Sequence, residues 1–267
     1  MAQHELLSSR QNPRVKAAAA LKDASERRKT GLFLAEGARL CADAAAFGTA
    51  VETLFLTEEA ALAYPAQYRA AAAAAKEVFF VSREAAEKLS DTASSQHFFC
   101  VCPQKTAPAG PIPAGNYLVT DRIQNPDNLG ALSRSAEAFG AAGMIAAGGC
   151  DIYSPKALRA SMGALLRFPV WRAPDCAEAL LQMKAAGFRT FAAVLGSRSV
   201  DIRTVTASGS KALVIGNEGE GVSPAAAAAC TDLVVIPMAG RAESLNAAAA
   251  GAVLLWELFG KEAPAVN

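Results

Sequence analysis

The sequence predicts an α/β protein of two domains, and three observations lead to that prediction. The chain has 267 residues, about the length of two average domains. Short apolar runs alternate with helical patterns along most of it, as in layered α/β folds. The segment 104–116 contains several prolines and glycines and no periodic apolar pattern, which is typical of a linker. We therefore predict domains at 1–103 and 117–267.

The N-terminal domain is predicted to be a small α/β layer fold. Apolar runs predict strands at 33–34, 51–56, 78–81 and 98–102. Alanine-rich stretches between them predict helices at 58–76 and 83–89. Thr57 is a suitable N-cap for the first of these helices, because acidic residues follow it directly.

The C-terminal domain alternates more regularly. Strands are predicted at 117–120, 144–147, 190–195, 213–215 and 233–236, and helices at 131–139, 176–186 and 247–259. Strands that are apolar throughout are typical of a parallel sheet covered by helices on both faces. Such sheets bind ligands beyond the carboxyl ends of their strands. Glu218, Pro237 and the loop that carries Asn128 fall at such ends.

Composition and motifs exclude several classes of protein. A net charge of +1 limits any nucleic-acid site to a local patch. The six cysteines form no CxxC pair and no Cys/His cluster, so we expect reduced thiols and no metal. The longest uncharged apolar stretch falls short of the ~20 residues that span a bilayer. The N-terminus has no apolar signal-peptide core. We expect a soluble, cytoplasmic protein.

Nucleotide-binding and hydrolase motifs are also missing. No GxGxxG follows a strand, and neither HExxH nor GxSxG occurs. The stretch 216–223 has the glycine spacing of a P-loop, but Val222 stands where that motif needs a lysine to hold phosphates.

Three loops of the C-terminal domain contain the candidate site residues. They are Asn125-Pro126-Asp127-Asn128 continuing to Arg134, the stretch 215–223 around Glu218, and Ile236-Pro237-Met238 followed by Ser244-Leu245-Asn246. Each has a purely structural alternative. Asn128, Ser244 and Asn246 are common helix N-caps. Glu218 fits a polar turn, and Arg134 a solvated helix face. Three such loops at strand ends favour a functional site over separate turns.

In this order the three loops resemble the motifs of the SpoU (TrmH-like) RNA 2'-O-ribose methyltransferases of the SPOUT superfamily. The segment 151–164 resembles the block between that family's first two motifs, and 12–37 resembles the start of its L30e-like substrate-binding domain. One position departs from the family pattern, because Asn125 replaces an aspartate that is frequent there.

The resemblance implies a C-terminal SPOUT domain with a deep trefoil knot, S-adenosyl-L-methionine as cofactor, a homodimer and no metal. The residues that match the family's catalytic set are Arg134, Asn128, Glu218, Ser244 and Asn246. Those that match its cofactor-binding set are Gly216, Ile236, Leu245, Met238 and Glu218. The last helix, with Leu254, Leu255, Trp256 and Phe259, is a candidate contributor to the dimer interface.

RNA contacts must come from local positive charge. Residues 1–30 contain seven basic and three acidic residues. The candidate RNA-binding residues are Arg27, Arg28, Lys29, Lys156 and Arg159. The alternative for this basic patch is a solvated helical face.

The function that the resemblance implies is methylation of a ribose 2'-hydroxyl of RNA, with 23S rRNA favoured by the appended N-terminal domain. A tRNA methyltransferase is the alternative within the same class. A catalytically silent RNA-binding or ribosome-assembly factor on this fold is a second alternative. A nucleotide-binding α/β protein unrelated to RNA is a third.

Overall fold

The computed structural model describes residues 6–106 and 108–262. Both ends of the chain, 1–5 and 263–267, and Ala107 of the predicted linker lie outside the described residues. The chain divides into two compact units. The first comprises the described residues up to Thr106 together with Tyr153–Arg167, and the second comprises the rest.

The strands and helices alternate as the sequence predicts. The strands are β1 (Leu6–Leu7), β2 (Leu32–Glu36), β3 (Val51–Leu56), β4 (Ala75–Val81), β5 (Phe98–Pro103), β6 (Asn116–Asp121), β7 (Gly143–Ala147), β8 (Val170–Ala173), β9 (Arg189–Ala193), β10 (Val200–Asp201), β11 (Lys211–Gly216) and β12 (Asp232–Val235). The helices are α1 (Pro13–Ala20), α2 (Ala24–Thr30), α3 (Ala38–Ala46), α4 (Glu58–Ala63), α5 (Pro65–Ala74), α6 (Arg83–Leu89), α7 (Pro126–Ala138), α8 (Pro155–Ala160), α9 (Ala164–Arg167), α10 (Cys176–Ala185), α11 (Pro224–Ala229) and α12 (Ala247–Leu258). Two 3-10 turns cover Ile202–Thr204 and Gly260–Glu262.

The first unit is built on a mixed sheet. Within the described residues its strand order is β1-β4-β3-β5-β2, with β3 parallel to β4 and antiparallel to β5. Phe55, Phe79, Leu89 and Phe99 are among the buried residues of its core. This arrangement confirms the predicted small α/β domain.

The stretch 58–76, predicted as one helix, forms α4 and α5 and the start of β4. The break falls at Tyr64, whose extended φ of −127° precedes Pro65. Proline disfavours a helical conformation in the residue before it and has no N–H to donate, so α4 ends and α5 begins with proline in its first turn. Thr57 caps α4 as predicted, since its side chain accepts a hydrogen bond from the Ala60 amide.

Helices α8 and α9 pack into the first unit although they follow β7 in the chain. The ring of Tyr153 stacks on Phe33 with a centroid separation of 4.8 Å, and its hydroxyl accepts a hydrogen bond from the Lys105 amide. Leu158 and Leu166 are fully buried. This excursion places the segment 153–167 in the first unit by packing, not by sequence position.

The second unit is built on a parallel sheet, which confirms the prediction. Among the described residues the order is β10-β12-β9-β11-β6-β7-β8, and each neighbouring pair is parallel. In the register of β6 and β11, Asp121 lies beside Gly216, so the loops after both strands leave from the same edge. The strands β8 and β10 are not predicted from the sequence, because both are short, partly exposed edge strands without a continuous apolar run.

Helices α7 and α12 pack closely in the second unit. A Cβ atom at Gly251 of α12 would lie 2.1 Å from the Leu132 side chain of α7, so any larger residue there would require Leu132 to move. Leu254 and Leu255 of α12 are buried. Among the described residues, no helix has the length and apolar character needed to cross a membrane.

Candidate functional site

A cavity of about 460 Å³ lies in the second unit at the carboxyl ends of β9, β11 and β12. All five residues predicted to bind the cofactor line it, and so does Ser244. Apolar side chains, including Leu195, Val222 and Leu254, form much of the remaining wall. The volume falls within the range of small-molecule pockets, which are mostly apolar with a few polar groups.

Three predicted catalytic residues, one from each loop, are joined by hydrogen bonds. Asn128 Nδ2 donates to Glu218 Oε1 at 2.9 Å, and Asn246 Nδ2 donates to Asn128 Oδ1 at 3.0 Å. Asn246 Oδ1 in turn accepts hydrogen bonds from the Ala248 and Ala249 amides at the start of α12. The three loops are therefore held together by one continuous hydrogen-bonded chain.

The direction of this chain is fixed at both ends. The Glu218 carboxylate only accepts, so Asn128 must present its NH2 group to it. The amides of α12 only donate, so Asn246 must present its oxygen to them. Asn246 is thus an N-cap, as its structural alternative required, and it also contacts the site.

Asn128 is not a helix cap. Helix α7 begins before the predicted helix, at Pro126, and Asn125 is its N-cap, with its side chain accepting from the Asp127 amide at 2.8 Å. Asparagine forms this cap as aspartate does, so the departure from the family pattern leaves the start of the helix intact. Asn128 lies within the first turn with 7% of its surface exposed, which leaves its amide available to Glu218.

Glu218 is held as a carboxylate acceptor. Its oxygens also accept hydrogen bonds from the backbone amides of Gln124 and Asn125, each at 3.0 Å. Partial burial raises the pKa of Glu218, but the hydrogen bonds from Asn128 and the backbone amides outweigh that effect and lower its pKa overall. Glu218 is therefore ionised at neutral pH and ties the loop after β6 to the loop after β11.

A second group of contacts, which the sequence analysis missed, fixes the loop 217–223. Buried Asp121 accepts from the Ser223 amide at 2.7 Å, and Asn217 Nδ2 donates to the Arg122 carbonyl at 3.0 Å. Arg122 also pairs with Glu220 at 2.6 Å. An acid and a base directly after an apolar strand were the available signal for these residues.

Gly216 is required by the path of this loop. A Cβ atom at this position would lie 2.1 Å from backbone atoms of both Gly221 and Val222. The chain turns back on itself with Gly221 at a φ of +71°, a conformation that glycine adopts without strain. Gly216 therefore lets the loop fold against the end of β11, where it forms one wall of the cavity.

Arg134 stands apart from the other predicted catalytic residues. It is exposed on α7 and does not line the cavity. Six residues at ~100° each place it about 120° around the helix from Asn128. The described residues of one chain thus join Asn128, Glu218 and Asn246, while Arg134 faces solvent.

The predicted RNA-binding residues all lie in the first unit. Arg28 and Lys29 of α2 and Lys156 of α8 are exposed. Arg27 is only 3% exposed, and its guanidinium donates to the Leu21 and Lys22 carbonyls, so it braces the chain before α2. Arg159 pairs with Asp91 at 2.8 Å and lies 3.7 Å from buried Glu36. Arg27 and Arg159 are therefore engaged within the protein.

The residues predicted to contribute to a dimer interface also differ in exposure. Leu254, Leu255 and Phe259 of the proposed dimer helix are buried in the chain's own core, whereas Trp256 is 49% exposed.

All six cysteines are free, and Cys150 is the one among them that is only partly buried. No group of three or more potential ligands for a metal ion occurs in the part of the chain that the structure describes.

Comparisons with known proteins match both units. Residues 115–256 match the SpoU rRNA Methylase family, and residues 12–100 match the MRM3-like substrate binding domain. The second match coincides with the region where the sequence predicted a substrate-binding domain.

Similar proteins extend this match over nearly the whole chain. The 23S rRNA (guanosine(2553)-2'-O)-methyltransferase RlmP of Bacillus subtilis is 30% identical over 95% of this chain and 99% of its own length. The 23S rRNA (uridine(2479)-2'-O)-methyltransferase of Streptomyces viridochromogenes is 40% identical over 51% of this chain and 50% of its own length. In alignments with other curated relatives the chain spans 39% to 59% of their length.

A solved structure shares the complete fold. The AdoMet-bound rRNA methyltransferase from Sinorhizobium meliloti superposes with a TM-score of 0.84 and 32% identity, over 96% of this chain and 97% of that one. This likeness confirms an N-terminal α/β domain followed by a SPOUT methyltransferase domain.

Proposed function

This chain belongs to the SpoU rRNA Methylase family and is an S-adenosylmethionine-dependent methyltransferase of RNA ribose 2'-hydroxyls, and we propose that its substrate is 23S ribosomal RNA. The observation that carries the proposal is the cavity at the ends of β9, β11 and β12. Residues from two of the three matching loops line it. Glu218 is one of these residues, and its hydrogen bond to Asn128, which in turn bonds Asn246, links all three loops.

The residues of the cavity fit the methyl donor. Leu195, Met238 and Leu245 offer apolar surface for an adenine ring, and the backbone after β11 and β12 offers hydrogen-bonding groups. Gly216 keeps the cavity wall free of a side chain that would collide with the loop 217–223. When bound, S-adenosylmethionine supplies an electrophilic methyl group on a sulfonium.

The protein's own task is to hold the ribose hydroxyl in line with that methyl group and to stabilise the charge that develops on its oxygen. We assign the second role to Arg134, which would act at the cavity of a second protomer, because within one chain it does not line the cavity. A guanidinium group is a fixed cation that donates hydrogen bonds, so the assigned role is charge stabilisation and not proton abstraction. Glu218, Asn128 and Asn246 set the geometry of the loops, and Ser244 lines the cavity.

A homodimer is part of this proposal. Arg134 on α7 and the exposed Val253 and Trp256 on α12 are available for an interface in a single chain. Val253 and Trp256 are three residues apart and therefore share one helix face. Sedimentation of the purified chain at micromolar concentration measures its oligomeric state directly. The deep knot of SPOUT domains and a cytoplasmic location, where ribosomal RNA is available, belong to the same proposal.

The N-terminal unit is the proposed RNA-binding part. Its match to a substrate binding domain supports this role, and Arg28, Lys29 and Lys156 present exposed positive charge there. The 23S substrate is supported by RlmP, which aligns with this chain from end to end.

The experiment that tests this function is ribose-methylation mapping of total RNA. RNA from a strain lacking the gene is compared with RNA from its parent and from strains complemented with the wild-type chain or with Arg134→Ala. We expect one 2'-O-methyl site in 23S rRNA to disappear and to return with the wild-type chain alone. Loss of a tRNA site would move the substrate to tRNA. A complete set of sites in the deletion strain would favour the silent RNA-binding factor.

A further inference from the structure

The cavity carries a strong charge asymmetry. Three acidic residues line it, Glu218, Glu220 and Glu243, and none of its described lining residues is a lysine, arginine or histidine. A cavity with this lining attracts cations and disfavours anions.

Two of the three carboxylates are already engaged. Glu218 accepts hydrogen bonds from Asn128 and two backbone amides, and Glu220 pairs with Arg122 at 2.6 Å. Glu243 is exposed on the segment between β12 and α12 and has no hydrogen bond or ion pair within the described residues. No cation among the described residues pairs with Glu218 or Glu243, and of these two only the Glu243 carboxylate has no hydrogen-bond donor there, so it is the one available to a ligand.

Methyl transfer removes one positive charge from the ligand of this cavity. The bond between sulfur and the methyl carbon breaks and its electron pair stays on sulfur. A bond forms between that carbon and the ribose oxygen, and the hydroxyl proton passes to solvent. The sulfonium ligand thus becomes S-adenosylhomocysteine, a neutral thioether with the same adenosine, amino and carboxyl groups. A carboxylate at the cavity distinguishes the two by charge alone.

We propose that Glu243 is a specificity-determining residue that makes the cavity prefer the sulfonium form of its ligand over the thioether product. The inference rests on the proposed function, because it takes the cavity as the cofactor site. Its consequence is that S-adenosylmethionine competes with the product for the cavity more effectively than it would for a neutral cavity, which limits inhibition by the product.

The test compares the binding of S-adenosylmethionine and S-adenosylhomocysteine to the full-length chain by titration calorimetry. The variant is Glu243→Gln, which keeps the size of the side chain and removes its charge. The control is Glu58→Gln, which makes the same charge change at an exposed position of α4 in the first unit.

We expect Glu243→Gln to reduce the preference, the ratio of the two dissociation constants, by about fivefold, as for one unit charge pair near solvent. Glu58→Gln should leave the ratio unchanged. Raising the salt to about 0.5 M should bring the wild-type ratio towards that of Glu243→Gln, since the screening length is then a few ångströms.

The outcomes separate the inference from the function beneath it. If Glu243→Gln weakens the binding of both ligands by the same factor, Glu243 binds a group that they share, and the inference is overturned. If the variant leaves both dissociation constants unchanged, the inference is overturned as well. If the wild-type chain binds neither ligand, the proposed cofactor site itself is refuted.

Discussion

At the scale of single residues, the site depends on side chains whose donor and acceptor groups each have an identified partner. Asn128 uses its NH2 group for Glu218 and its oxygen for Asn246, so neither half of its amide can be exchanged without loss. Arg134 shows the opposite condition, because it is exposed on α7 away from the cavity. These two residues, six positions apart on one helix, should respond differently to substitution.

Arg134→Ala should abolish methylation and leave cofactor binding intact. The side chain does not line the cavity, so its removal changes no surface that S-adenosylmethionine contacts. Single-turnover methylation of the RNA substrate and calorimetric binding of the cofactor measure the two effects separately. Loss of cofactor affinity in this variant would show that Arg134 has a structural role and would remove its assignment to the reaction.

Asn128→Asp should make cofactor binding weaker as the pH rises. In the wild type Glu218 has a lowered pKa, so its contribution to folding stability is present above the pKa of the unfolded chain and is lost as the pH falls through the lower folded value. In the variant two carboxylates would meet at hydrogen-bond distance and could not both ionise, which raises the pKa of one of these two carboxyl groups. We expect weak binding near pH 8 and recovery near pH 5.5.

The matched control is the double variant Asn128→Asp/Glu218→Gln. It removes the second carboxylate, so the loss of affinity between pH 5.5 and pH 8 should disappear, while the backbone amides of Gln124 and Asn125 lose one acceptor and keep the affinity below that of the wild type at both pH values. Calorimetric titrations of cofactor at both pH values measure this. Equal affinity of the single variant at the two pH values would contradict the direct contact between Asn128 and Glu218.

At the scale of elements, the notable feature is the pair α8 and α9, which contributes to the first unit. Arg159 on α8 pairs with Asp91 and lies beside Glu36, whose side chain is only 6% exposed. Asp43 pairs with Arg167 at 2.7 Å, at the end of α9. Charged contacts therefore supplement the buried leucines that hold this segment to the first unit.

Arg159→Ala should destabilise the first unit by roughly 1–3 kcal/mol, because it leaves buried Glu36 without its nearby cation. Lys156→Ala, at an exposed position of the same helix, should change stability by less than about 0.5 kcal/mol. Hydrogen exchange of the amides in β2 and α6, read by mass spectrometry, reports on this unit. If Arg159→Ala weakens RNA binding with no change in exchange, Arg159 contacts RNA directly and its ion pair is incidental.

At the scale of the whole molecule, a net charge of +1 means that RNA binding depends on where the charge lies. Arg28 and Lys29 in the last turn of α2 have exposed side chains. The residue before them, Arg27, is buried and donates hydrogen bonds to backbone carbonyls. The basic cluster visible in the sequence thus presents two charges to solvent from this helix segment, with Lys29 also 3.6 Å from Glu26.

Arg28→Gln/Lys29→Gln should weaken RNA binding and flatten its salt dependence by about 1–2 units in the slope of log K against log salt, since fewer counterions are released. Arg83→Gln/Lys88→Gln on α6 removes the same charge from exposed positions and serves as control. Filter binding over a series of salt concentrations gives both slopes. Equal slopes in the wild type and the α2 variant would exclude this helix from the RNA footprint.

The sequence by itself determined the α/β class, the parallel sheet, the positions of most strands and the family. Apolar runs and glycine-rich loops are local signals, and three such loops in the order of the family's motifs are specific for that family. The resemblance of these loops to the family's motifs also identified five residues that line the cavity, Gly216, Glu218, Ile236, Met238 and Leu245.

Only the tertiary structure decided which polar groups meet. The chain from Glu218 through Asn128 to Asn246 joins residues 90 and 118 positions apart, and no local pattern encodes such a contact. The burial of Arg27 and the docking of α8 and α9 on the first unit were equally hidden, since an arginine in a helix has the same sequence signature whether it faces solvent or a carbonyl. Local propensity sets where elements begin and end, and packing between distant elements sets what their side chains do.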